Sequence, residues 1–130
     1  MSARRWQGRD TGLRRRFLAW HRRALPPWAL AADVDLVEFR RVEPEPGLVL
    51  YEPVALVEVL PYGAPLPGPR GPQLEVLWRL SQAPGAEAVV VELGADLKRV
   101  RIRRLPGFEV VAEGGLEAYG DWLAKQHDRR

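Results

Sequence analysis

Three carboxylates carry the chemistry that this composition leaves open. Asp33 and Asp35 lie in Asp33-Val-Asp-Leu-Val-Glu-Phe39, and Glu58 ends Val54-Ala-Leu-Val-Glu58. Both stretches read as short strands, so the acids enter an otherwise apolar sheet. A carboxylate drawn into a core costs several kcal/mol unless something compensates it. A cation can do so, and so can basic partners. Hard oxygen ligands suit Mg²⁺ or Mn²⁺ better than zinc. Such an ion polarises a phosphoryl oxygen and lowers the pKa of a bound water. Without it, neighbouring carboxylates repel and one protonates. Asp33, Asp35 and Glu58 are therefore the candidate metal ligands.

Other chemistries lack their residues. The chain has no cysteine, which removes disulfides, thiol catalysis and Cys-ligated zinc. Its two histidines, His21 and His127, cannot build a multi-histidine zinc site. No Gly-x-x-x-x-Gly-Lys loop, Gly-x-Gly-x-x-Gly turn or Gly-x-Ser-x-Gly elbow occurs. No apolar run reaches the roughly 18 residues of a membrane-spanning helix. No uninterrupted apolar stretch follows the basic N-terminus. The expectation is a cytoplasmic protein with no membrane partner.

Periodicity gives the elements that must hold the carboxylates. Leu13, Phe17, Trp20 and Ala24 form one stripe of a helix over Thr11–Ala24, which stops before Pro26-Pro27. His21 sits beside that stripe as a helix-side histidine. From Asp33 to Arg40 the residues alternate, with Val34, Leu36 and Glu38 on one face and Asp33, Asp35, Val37 and Phe39 on the other. Glu43–Gly47 reads as a turn, Leu48–Tyr51 extends a hairpin, and Pro53 breaks it. Val54–Leu60 reads as a central buried strand. The stretch Pro61–Pro72 holds five prolines and three glycines and is a loop.

A helix over Gln73–Gln82, with Leu74, Leu77, Trp78 and Ser81 on one side, then crosses to a strand at Glu87–Leu93. Lys98–Leu105 alternates, with Val100 and Ile102 inward and Arg99, Arg101 and Arg103 outward, as an antiparallel edge strand would. Phe108–Ala112 is a further short strand. A last helix, Leu116–Gln126, buries Leu116, Tyr119, Trp122 and Leu123. The fold class expected is mixed α/β: one domain over residues 1–130, with a central mixed sheet of four to five strands flanked by helices. Residues 1–10 are expected to be flexible.

Charge is segregated along the chain. The first 23 residues hold eight arginines and one acid, Asp10, whereas Asp33–Glu58 holds seven acids and two arginines. Basic flanks around an acidic centre suit a polyanion held over a metal site. Arg14, Arg15, Arg16, Arg22 and Arg23 are the candidate phosphate contacts, and nucleic acid, DNA first, is the candidate partner. The competing explanation is compositional, since arginine outnumbers lysine 18 to 2. Trp20, Trp78 and Trp122 lie on apolar helix faces and read as core, while Trp6 and Trp28 stay open.

The run Asp35-Leu-Val, followed 23 positions later by an apolar strand bearing Glu58, resembles the PD-(D/E)XK nuclease-like superfamily. The resemblance implies a restriction-endonuclease-like αβββαβ core and extends over most of the chain, from the first helix to Leu93. It implies that Asp35 and Glu58 bind Mg²⁺ or Mn²⁺, with Asp33 auxiliary, and that a lysine activates water. That lysine position is Leu60, which cannot donate to water or phosphate. Arg79 on the following helix, or Lys98, is the candidate stand-in, so Asp35, Glu58 and Arg79 form the candidate catalytic set. A homodimer is implied by analogy alone.

Leu60 divides the functional expectation. The first reading is a degenerate domain that binds nucleic acid, around a divalent metal or without one, and does not cut. The second is an active metal-dependent endonuclease with a relocated basic residue. The third is a vestigial domain with salt-bridged acids that binds a protein partner.

Overall fold

The computed structural model describes residues 11–28, 34–68 and 71–128. The chain divides into two compact units, Met1–Ala32 and Asp33–Arg130. The first contains α1 (Thr11–Ala24). Its apolar stripe is solvent-exposed, and Phe17 stacks on Trp20 with ring centroids 5.9 Å apart. His21 lies edge-on to Phe17.

The second unit runs β1 (Leu36–Glu45), β2 (Leu48–Pro61), α2 (Gly71–Gln82), β3 (Glu87–Leu93), β4 (Val100–Arg104), β5 (Glu109–Gly114) and α3 (Leu116–Asp128). The five strands form one mixed sheet in sequence order, β1-β2-β3-β4-β5. Only β2 and β3 pair in parallel, through the α2 crossover.

Two apolar layers sandwich the sheet. On one face Ala55, Val57, Val89, Val91, Val100 and Ile102 pack with Trp122 of α3. On the other, Leu56, Leu60, Ala88 and Val90 pack with Leu74 and Leu77 of α2. Each fully buried Val, Leu or Ile contributes about 1.5–3 kcal/mol. The buried Ser81 hydroxyl is satisfied by donating to the Trp78 carbonyl at 2.6 Å. Two polar contacts fasten α3 to β1. The Tyr119 hydroxyl donates to Glu38 Oε2 at 2.6 Å, and Arg40 Nη1 donates to the His127 carbonyl at 3.0 Å. The second caps a carbonyl that the helix end leaves without an intrahelical donor.

Four local expectations are corrected. Pro53 does not break β2, so Leu48–Tyr51 and Val54–Leu60 are one strand. At Pro53 the strand has a ladder partner in β1 alone, because pairing with β3 begins at Ala55. A missing N–H is tolerated there, and Val54 is the extra residue of a bulge. The hairpin turn is shorter than expected, with β1 reaching Glu45 and Gly47 supplying φ of 85°. β4 is interior rather than an edge, since β5 covers its far side. Leu116 is exposed at the start of α3, whose buried side carries Gln126 instead.

Candidate functional site

Asp35 occupies a bend just before β1. The bend ends the alternation expected from Asp33 onward. Val34 packs against the α2-side layer, whereas Leu36 packs against the α3 side. Leu36 pairs with Val57, so the next step outward sets Asp35 beside Glu58. Asp35 Oδ2 accepts the Val59 N–H at 2.8 Å. The carboxylate thus takes the place of a main-chain acceptor where the ladder would otherwise end.

Glu58 is buried, 3% exposed, between Leu56 and Leu60. Neither Asp35 nor Glu58 is without partners, and no buried side-chain polar atom among the described residues lacks one. Asp33 lies outside the described residues. Among those described, no three His, Asp or Glu side chains converge as a cation site would require.

The environment of Leu60 is decided by its neighbours across the sheet. Leu60 pairs with Glu92, Glu92 with Arg101, and Arg101 with Glu113. This row crosses four strands on the α2 side. Glu92 is 1% exposed and fully engaged. Arg101 donates to it through Nε at 2.9 Å and Nη2 at 3.2 Å, and Arg103 Nε donates at 2.7 Å. The Gly63 N–H adds a fourth bond at 3.0 Å. Burial works against the Glu92 charge, but the hydrogen bonds from Arg101, Arg103 and Gly63 outweigh it and hold the carboxyl down to about 2.

Arg103 also reaches across to the Phe108 carbonyl at 3.0 Å. The Tyr62 ring carries the guanidinium carbons of Arg99 at 3.9 Å and Arg101 at 4.4 Å, and its hydroxyl donates to Glu113. The basic row expected to face outward is thus divided. Arg101 and Arg103 serve a buried acid, and Arg99 remains exposed. Sequence reasoning missed Glu92, although it is an acid set among apolar strand residues as Glu58 is. The signal was the alternating Arg101 and Arg103, complementary to it once β3 and β4 are paired.

Arg79 is two-thirds exposed, ion-paired with Glu75 at 3.1 Å, and stands 5.9 Å over the Trp78 ring. It lines a groove of ≈ 470 Å³ with Leu74, Glu75, Trp78, Leu105 and Phe108. Neither Asp35 nor Glu58 lines that groove. Lys98 lies in the turn before β4, its backbone N–H bonded to Asp96.

The candidate phosphate contacts lie on α1, which contains five arginines and no acid. Arg15, Arg16, Arg22 and Arg23 are exposed, and none has an ion pair among the described residues. Arg14 is half-buried and has a partner. Charge separates by unit. Residues 1–32 hold eight arginines against one aspartate, net +7, and residues 33–130 hold ten arginines and two lysines against sixteen acids, net −4. No family model, no curated protein and no solved structure matches the chain.

Proposed function

We propose that this chain binds nucleic acid through its phosphates and does not cut it. The observation that carries this reading is α1: five arginines, no acid, and four of the five exposed. Arg14, Arg15 and Arg16 lie toward the N-terminal end of the helix, where the backbone dipole disfavours cations. No acid in that turn offsets them. Such an arrangement works against helix stability and favours a polyanion.

The resemblance to PD-(D/E)XK domains supports the class of partner. Against cleavage stand Leu60 in the lysine position, Arg101 and Arg103 both spent on Glu92, and Asp35 committed to the Val59 N–H.

The test is duplex DNA binding, by fluorescence anisotropy, over a salt series. The logarithm of affinity falls linearly with the logarithm of salt, by about 0.9 for each phosphate neutralised. Replacing Arg15, Arg16, Arg22 and Arg23 together by alanine reduces that slope by about 3.6, one phosphate for each arginine. An unchanged slope places the contact elsewhere and overturns the reading. One observation favours a second reading, metal-dependent cleavage: Asp35, just before β1, accepts the N–H of Val59, the residue after Glu58.

A further inference from the structure

The groove beside α2 is lined by two aromatic side chains, Trp78 and Phe108, together with apolar residues and one exposed ion pair. Of its lining, Leu74 and Leu105 are buried, while the aromatic Trp78 and Phe108 are only half-buried. Its ≈ 470 Å³ falls within the roughly 300–1,000 Å³ typical of small-ligand sites.

The Phe108 wall is built at a conformational cost. Phe108 has φ of 65°, a left-handed conformation that a bulky side chain rarely adopts. Two bonds hold it there. Its N–H donates to the Arg104 carbonyl at 2.8 Å, and its own carbonyl accepts from Arg103. Arg103 is itself fixed by the buried Glu92. A strained residue that a buried ion network over-determines points to a placed side chain rather than an incidental turn. At the mouth, Arg79 supplies a cation for a phosphate and Glu75 an acceptor for a ring N–H or exocyclic amine.

We propose that this groove takes a single unstacked base of single-stranded nucleic acid, sandwiched by Trp78 and Phe108, with Arg79 on the adjoining phosphate. The proposal rests on the nucleic-acid reading above and adds a base subsite to it. Stacking on aromatic side chains tolerates any base sequence, because every base presents a π-face.

The experiment compares a short oligothymidylate with a tetrahydrofuran abasic oligomer of the same length. Both carry the same phosphates, and only the first carries bases. The expected result is about tenfold tighter binding of oligothymidylate by the wild type. Phe108→Gly, which suits the left-handed backbone, brings its affinity down to the abasic value, and so does Trp78→Leu, which keeps an apolar side chain in the wall. Equal binding of the two oligomers by wild type overturns the base subsite and leaves phosphate binding standing. Retention of the full difference by both variants, each folded by circular dichroism, also overturns it. Failure of both oligomers to bind at all overturns the subsite, while the duplex salt series decides the phosphate-binding reading separately.

Discussion

Glu92 shows how one buried residue can be written into three others. Its carboxylate takes bonds from Arg101, Arg103 and the Gly63 N–H, so it ties β3 to β4 and to the chain leaving β2. A carboxyl held near 2 in the folded protein, against 4.5 in the unfolded chain, stabilises fully above pH 4.5. That contribution fades as pH falls through the folded value, between about 4.5 and 2. Glu92→Gln should therefore lose on the order of 3 kcal/mol near neutral pH and show a flatter acid limb. Urea unfolding at about pH 7 and about pH 3 measures both, and parallel pH curves for the two proteins would discard this account. Glu92 was legible as an acid in an apolar run, as Glu58 was. Its role was not, because that depends on which arginines the strand register sets opposite. Asp35 was singled out as an acid on a strand face, yet its bond to the Val59 N–H needs the bend that no periodicity announces.

Elements were legible where the apolar pattern is regular, whether or not the structure buries it. Residues Thr11–Ala24 and Glu87–Leu93 form the helix and strand their patterns indicate, because a stripe or a continuous apolar run admits few alternatives. Pairing was not legible. The edge position expected for β4 failed because the short β5 beyond it carries mixed residues and half-buried valine and alanine. The attachment of α3 was hidden too, since it rests on polar contacts between residues far apart in the chain. Burial, with the nearby Glu38 carboxylate, raises Tyr119 well above the usual phenol range. Its hydroxyl therefore remains a donor at neutral pH. Tyr119→Phe leaves the half-buried Glu38 without that donor, at a cost of about 1–3 kcal/mol. The urea midpoint should fall with an unchanged slope, and an unmoved midpoint would mean that Trp122 and its apolar neighbours hold α3 unaided.

For the whole molecule, a net +7 in the first 32 residues and −4 in the rest assign the two units different electrostatic characters. If binding is phosphate capture by arginine, Mg²⁺ competes for the phosphates and duplex affinity is no higher in Mg²⁺ than in a chelator. Nicking that needs Mn²⁺ and stops at Glu58→Gln would instead establish the cleavage reading. The sheet has a further consequence, in its assembly. Its β1–β2 hairpin and its β3–β4–β5 meander are each joined by short turns, and only the parallel β2–β3 pairing spans a long connection, residues 62–86. Local pairings form without large loop-closure costs, while the β2–β3 pairing must close that connection before it gains a contact. The topology predicts that the pairing of the strand that carries Glu58 with the strand that carries Glu92 forms last, so substitutions along that seam should slow folding less than they speed unfolding.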